Sequence, residues 1–216
     1  AWVHPKHWCN ELINHKNIKM YVNHHAVNIE QDNKEQWNVS IKNGAHFKAE
    51  VLVVCSANES KLLSPLSFLP TKPIAGQVSQ IKGQNLNLKT VLCGDSYITP
   101  SHNGNTNFGA SYRVNSECTL ETKEDHLHNL DKLKQNFPTV AEQLNTQLKV
   151  TGRVSVRCTT PDYSPIAGPV CDAKIFAECF NELKKNRKWT FNQEAPFLKG
   201  LFVNLGHGSR GLSSAP

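Results

Sequence analysis

Gly200-Leu201-Phe202-Val203-Asn204-Leu205 runs straight into Gly206-His207-Gly208-Ser209-Arg210-Gly211-Leu212-Ser213-Ser214-Ala215-Pro216. The first six residues read as a short buried strand, and the glycines and small residues after them as a loop entering a helix. A strand–loop–helix junction of this kind points to α/β architecture. Residues 206–211 also spell G-x-G-x-x-G, yet the second strand and acidic residue of a dinucleotide fingerprint do not follow them in this chain. What the spacing does supply is local. Glycines let backbone N–H groups approach an anionic or carbonyl oxygen, and a helix behind them turns its positive end the same way. A plain glycine-rich helix cap is the other reading of the same residues.

Working back from this junction, the chain alternates between element types. Asp172–Lys188 predicts a helix carrying Ile175, Phe176, Cys179, Phe180 and Leu183, and Leu148–Arg157 predicts a strand. Thr122–Asn136 predicts an amphipathic helix, with Leu127, Leu130, Leu133 and Phe137 at helical spacing, Thr122 as N-cap and Pro138 as the stop. Gly76–Lys82, Thr90–Thr99 and Asn107–Val114 predict an antiparallel meander. Pro65, Pro70 and Pro73 mark Leu62–Pro73 as an interdomain connection. Further upstream, Glu50–Cys55 reads as a fully buried strand, Trp37–Ile41 as a strand entering a hairpin at Lys42-Asn43-Gly44-Ala45, Lys19–Ile29 as a strand, and Pro5–Asn17 as the start of a short helix. The predicted fold class is α/β, or mixed α+β, with an antiparallel sheet inserted into it.

Composition narrows the function classes. The 216 residues carry 24 basic and 18 acidic side chains, a net charge of +6 that permits an anionic partner without requiring one. No apolar run reaches the ~18–20 residues of a spanning helix, which excludes an integral helical membrane protein. Seven cysteines without a C-x-x-C pair, and scattered histidines, give no metal-ligand pattern and fit reduced thiols in a cytoplasmic protein.

Three further segments could carry chemistry. In Gly152-Arg153-Val154-Ser155-Val156-Arg157-Cys158-Thr159-Thr160-Pro161-Asp162-Tyr163-Ser164-Pro165-Ile166-Ala167-Gly168-Pro169, two arginines sit four apart on one strand face, as a solvated edge or as an anion anchor. Ala75-Gly76-Gln77-Val78, Gly94-Asp95-Ser96-Tyr97-Ile98-Thr99-Pro100 and Phe108-Gly109-Ala110-Ser111-Tyr112-Arg113 set polar or aromatic residues beside small ones, as a cavity lining or as ordinary core and surface. Glu182-Leu183-Lys184-Lys185-Asn186-Arg187-Lys188-Trp189 is a basic helix end with an aromatic, stabilised by the helix dipole or touching RNA.

Taken in order, A-W-V-H-P, V-L-V-V-C-S-A-N, A-G-Q-V-S, G-D-S-Y-I-T-P, F-G-A-S-Y, V-R-C-T-T-P-D-Y-S-P-I-A-G-P and G-H-G-S-R-G-L-S-S-A-P resemble the D-amino-acid-oxidase-like family of flavoenzymes. Within that family the chain resembles the FAD-dependent half of a bifunctional enzyme that matures 5-carboxymethylaminomethyl-2-thiouridine at the tRNA wobble position. The resemblance implies part of an FAD-binding domain at 1–72, an antiparallel substrate-binding domain at 73–157, and a return to the FAD-binding domain at 158–216. It implies FAD as cofactor, tRNA as partner, a fused N-terminal methyltransferase domain, and oxidative removal of the carboxymethyl group at a C–N bond.

By position, the resemblance makes Gly206, His207, Gly208, Ser209, Arg210 and Gly211 the flavin loop, with Ser56 and Ala57 beside the adenine end. Asn58 stands where the family usually has Gly. Arg157 matches the strand position that binds the substrate carboxylate in glycine- and sarcosine-oxidising relatives. A carboxymethylamino group is an N-substituted glycine, so a forked guanidinium suits it. Tyr97, Tyr112, Arg113 and Gln77 are expected to line the substrate cavity. No dedicated acid–base residue is expected, because an amine bound unprotonated needs none.

The family's first βαβ unit is expected upstream of Ala1 and its last helix beyond Pro216. The chain would then be a piece of a larger flavoenzyme, binding FAD weakly by itself. A small-molecule amine or amino-acid oxidase of the same fold and a non-catalytic RNA-binding module are the alternatives.

Overall fold

The computed structural model describes residues 3–145 and 147–214. In chain order the elements begin with helix α1 (Pro5–Ile13), followed by strands β1 (Ala26–Gln31), β2 (Trp37–Ile41), β3 (His46–Ala49) and β4 (Leu52–Val54). Then come β5 (Lys72–Lys82), β6 (Leu92–Cys93), β7 (Tyr97–Ile98), β8 (Asn105–Gly109) and β9 (Arg113–Val114). Helices α2 (Lys123–Asn136) and α3 (Pro138–Ala141) lead to β10 (Val150–Thr159), β11 (Ile166–Cys171), helix α4 (Ala173–Cys179), β12 (Phe197–Leu205) and helix α5 (Gly211–Ser214).

These elements form two compact units. One comprises the residues up to Met20 together with Pro73–Val156, and the other Tyr21–Lys72 together with Arg157–Pro216. The segment up to Met20, expected with residues 21–72, therefore goes with the antiparallel-sheet unit.

In the unit of residues 21–72 and 157–216, β1, β2 and β3 form one antiparallel sheet, and β11, β12 and β4 form another. β12 is antiparallel to β11 but parallel to β4, with Leu201, Phe202 and Val203 opposite Leu52, Val53 and Val54. Trp37, Leu66, Val170, Leu201 and Val203 meet in its core. Trp37 Nε1–H donates to the Lys199 carbonyl at 2.9 Å, which satisfies its buried indole and ties β2 to β12.

The other unit has a six-stranded sheet in the order β10-β5-β8-β7-β6, with β9 pairing β5. Ile81, Ile98, Phe108 and Leu133 form its core. α2 starts where its sequence predicts, because Thr122 accepts the Asp125 N–H at 3.2 Å through its side chain. A cavity of about 400 Å³ is lined by Ile81, Phe108, Lys123, His126, Leu127, Leu130 and Val150.

Several predicted elements differ from those observed. Thr90–Thr99 is not one strand but two, β6 and β7, paired with each other, and Asn107–Val114 is split between β8 and β9. Lys19–Ile29 is extended only from Ala26, and Met20 and Val22 are exposed; Asn23 has a positive φ of 60°, which breaks a strand there. Glu50–Cys55 is not fully buried: β4 is an edge strand, and of its three residues only Val54 is buried, while Val53 is exposed like Val51 just before it. Leu62–Pro73 is structured up to the boundary between the units, which falls between Lys72 and Pro73. Pro65 lies in the second of two short 3₁₀ turns, and Leu63, Leu66 and Leu69 reach the core there. The helix from Asp172 ends at Cys179 and gives way to a 3₁₀ turn at Asn181–Lys184.

Candidate functional site

Because β4 and β12 are parallel, their carboxyl ends lie at the same end of the three-stranded sheet. Ser56-Ala57-Asn58 follows β4 there, and Gly206–Gly211 follows β12. β11 runs the other way, with Ile166 opposite Leu205, so the turn that precedes it reaches the same end. Three connections thus converge outside the carboxyl ends of a parallel pair, where α/β sheets bind ligands.

The Gly206–Gly211 loop is held from below. Gly208 N–H donates to the Cys158 carbonyl at 2.8 Å, and Arg210 N–H to the His207 carbonyl at 2.9 Å. Gly206 and Gly208 have φ of +80° and +57°, and a Cβ on them would lie 3.0 Å from the Thr160 and Thr159 Cγ2 atoms, respectively. Glycine is thus required twice, by backbone conformation and by space. The His207 ring donates from Nε2 to Asn204 Oδ1 at 2.7 Å and bonds the Ser214 hydroxyl through Nδ1 at 2.9 Å, so it braces the loop. Arg210 is exposed.

The facing turn is built by Asp162. Its Oδ1 accepts from Ser164 N–H at 3.0 Å and from the Thr160 hydroxyl at 2.9 Å, and these bonds hold its carboxyl below the usual carboxylate range, the Ser164 amide contributing most. Asn58, the departure from the family glycine, donates from Nδ2 to the Arg157 carbonyl at 3.2 Å. That bond joins the segment after β4 to the strand residue expected to bind the substrate carboxylate, and neither the bond nor the Cys158–Gly208 contact was readable from spacing. Arg157 itself is half-buried, one residue before Cys158.

The cavity-lining expectations fare differently. Gln77 is fully buried, its Nε2 donating to the Thr122 carbonyl at 2.8 Å and its Oε1 accepting the Thr122 N–H at 2.9 Å. It clamps the start of α2. Arg113 lies 3.5 Å from Asp125 Oδ2 and reaches the Cys118 and Leu120 carbonyls at 3.4 Å, which makes it a brace of the β9–α2 connection. Tyr97 lies half-buried on β7, and Tyr112 is half-exposed before β9.

The donor set fits a flavin. Among the described residues the backbone amides of His207, Ser209 and Gly211 make no hydrogen bond, leaving donors on a glycine loop for the carbonyl edge and ribityl hydroxyls of an isoalloxazine. No group of His, Cys, Asp or Glu among these residues is arranged to hold a metal ion. No helix among them is long and apolar enough to cross a membrane.

The family model for FAD-dependent oxidoreductases matches residues 1–216. The chain belongs to that family. FAD is the family's cofactor, and the chain has the mixed α/β fold of D-amino-acid-oxidase-like flavoenzymes. It is 34% identical to the tRNA 5-methylaminomethyl-2-thiouridine biosynthesis bifunctional protein MnmC of Ectopseudomonas mendocina (strain ymp), with all of this chain and 34% of that protein covered. The protein of the same name from Pseudomonas syringae pv. tomato is 35% identical with the same coverage, and that from Saccharophagus degradans is 34% identical with 31% of its length covered. The chain therefore spans about a third of the length of the curated relatives it matches.

Among solved structures of this FAD-dependent family's fold, glycine oxidase from Geobacillus kaustophilus superposes with a TM-score of 0.66 at 20% identity, over 90% of this chain and 45% of that one. L-proline dehydrogenase from P. horikoshii gives 0.67 at 14% identity, over 93% and 48%. L-α-glycerophosphate oxidase from Mycoplasma pneumoniae, solved with FAD bound, gives 0.66 at 15% identity, over 92% and 49%.

Proposed function

We propose that this chain is the flavin- and substrate-handling part of an oxidoreductase that acts on tRNA, removing the carboxymethyl group from 5-carboxymethylaminomethyl-2-thiouridine and leaving the aminomethyl nucleoside. The observation that carries the reading is the position of Arg157, half-buried on β10 next to Cys158, whose carbonyl holds the flavin loop at Gly208. An N-substituted glycine offers one carboxylate, and a guanidinium can grip it with two parallel hydrogen bonds. Relatives named for biosynthesis of this class of nucleoside, matching over the full length of the chain, support the same substrate.

FAD, when bound, would supply hydride acceptance for oxidation at the N–CH₂ carbon, and hydrolysis of the oxidised C–N bond by water would release the aminomethyl nucleoside and glyoxylate. The residues around it have separate tasks. Gly206 and Gly208 let the loop backbone approach the cofactor, and His207, Ser209 and Gly211 present amides to it. Ser56 and Ala57 border its adenine end. Arg157 orients the carboxylate so that the adjacent C–H is the one presented. A methyltransferase domain of the same protein would consume the aminomethyl product, and a tRNA substrate goes with a cytoplasmic protein.

The test is turnover by the full-length protein on tRNA bearing the carboxymethylaminomethyl nucleoside, followed by mass analysis of nucleosides and assay of glyoxylate. The reading expects the aminomethyl nucleoside and equimolar glyoxylate, and a ten- to thousand-fold loss of kcat/KM in Arg157→Gln, about the range for losing one charged pair. Oxidation of free glycine or sarcosine with none of the tRNA would instead assign a small-molecule amine oxidase.

A further inference from the structure

We propose that the excursion between β11 and β12 is a tRNA-docking element, in which Lys184, Arg187 and Lys188 meet backbone phosphates and Trp189 stacks on an unpaired base. This rests on the tRNA reading above and adds a contact surface to it.

β11 and β12 are antiparallel neighbours, yet a tight turn does not join them. Residues 172–196 leave the sheet and return, and Asp172 N–H donates to the Pro196 carbonyl at 2.8 Å to close the neck. Long closed excursions on a rigid sheet commonly carry binding functions. This one has its own supports. Asp172 caps α4, accepting the Lys174 and Ile175 amides at 2.9 and 3.0 Å. Phe176 stacks on Phe180 at 4.5 Å, and Phe180 meets Phe191 edge-on at 4.6 Å. Beyond α4 the backbone is held by successive turns: the Glu182 carbonyl accepts the Lys185 and Asn186 amides, and the Asn186 side chain accepts the Lys188 amide at 3.0 Å.

These turns display four cations within five residues, Lys184, Lys185, Arg187 and Lys188, every one of them exposed. Lys185 pairs with Glu182 at 3.1 Å, whereas Lys184, Arg187 and Lys188 have no ion pair among the described residues. Crowding like charges costs stability, and a polyanion reverses that cost. Trp189 directly follows the cations and is 50% exposed. An indole beside a run of cations is the combination that binds single-stranded nucleic acid, phosphates on the cations and a base on the ring. A membrane surface would call for a long amphipathic helix here, and the segment is a set of turns.

The experiment measures binding of the full-length protein to tRNA bearing the carboxymethylaminomethyl nucleoside by fluorescence anisotropy across a salt series, alongside oxidation of the free nucleoside. In a variant with K184Q, K185Q, R187Q and K188Q, Kd should rise at least ten-fold at ~0.15 M salt, and the slope of log Kd on log salt should flatten by about three. W189A should weaken binding about five-fold or more with the slope unchanged. Free-nucleoside oxidation should be unaltered in both variants, which reports an intact fold and site. Unchanged Kd and slope in the quadruple variant would overturn the docking element, whatever the turnover. Wild-type protein that binds tRNA through these residues but releases no glyoxylate would sink the reaction and leave the docking element standing.

Discussion

Cys158 offers its carbonyl to Gly208 and buries its side chain in the apolar core beneath the loop. Burial pushes the thiol above its ordinary value, outweighing the Gly206 amide that favours the thiolate. Cys9, Cys55, Cys93, Cys118 and Cys179 are exposed. At pH 8, iodoacetamide should therefore modify those five first and Cys158 last, as peptide mass mapping will show; early labelling of Cys158 would refute its burial. The sign for stability follows. The unfolded thiol ionises near pH 8.5–9 while the folded one keeps its proton, so this contribution is intact below that range and declines as pH rises through it. Replacing Cys158 with Ala should flatten the fall of Tm above about pH 9. At this scale the glycines of the 206–211 loop were legible, because Gly206 and Gly208 have positive φ and little room for a Cβ. The duties of Gln77 and Arg113 were not, because their partners Thr122 and Asp125 lie more than ten residues away in sequence and no local pattern announces them.

The start of α2 depends on two side chains, Thr122 as its cap and Gln77 as the clamp on the Thr122 backbone. Truncating Gln77 to Ala leaves the half-buried N–H and C=O of Thr122 without these partners, at a cost of about 1–3 kcal/mol. Chemical denaturation should show that loss, with KM for the nucleoside unchanged; a raised KM at unaltered stability would place Gln77 in the substrate site. Elements were legible where a local pattern was complete. Trp37–Ile41 alternates and ends in Asn43-Gly44, and the hairpin forms as predicted. Thr122 and Pro138 bracket α2 on both sides. Misreadings arose where tertiary context decides: an apolar run at 50–55 proves to be an edge strand, and Pro65, between Leu63 and Leu69, serves a turn inside a core.

Each unit carries its own apolar core, and the two should answer mutation differently. Leu201 and Leu133 are both fully buried, one on β12 and one on α2. Replacement of either by Ala should cost about 2–5 kcal/mol. Leu201→Ala, on the strand that leads into Gly206, should also loosen FAD retention in the full-length protein, whereas Leu133→Ala should leave the flavin-to-protein ratio unchanged. Equal flavin loss in both would count against a loop anchored by β12. The family assignment was legible at this scale because its motifs recur in order along the whole chain, while the grouping of the residues up to Met20 with the antiparallel sheet was not, since contacts rather than motifs decide it.

The parallel pairing of β4 with β12 also sets a timetable. Val54 leaves the ribosome roughly 150 residues before its partner Val203, a delay of about eight to thirty seconds at 5–20 residues per second. Over the same interval the segment 73–156 emerges whole. The newborn chain can therefore finish its antiparallel sheet while β4, with Val51 and Val53 uncovered, still waits. The end of the sheet that meets the flavin loop is completed last, so chaperone dependence and aggregation during synthesis should centre on that waiting strand.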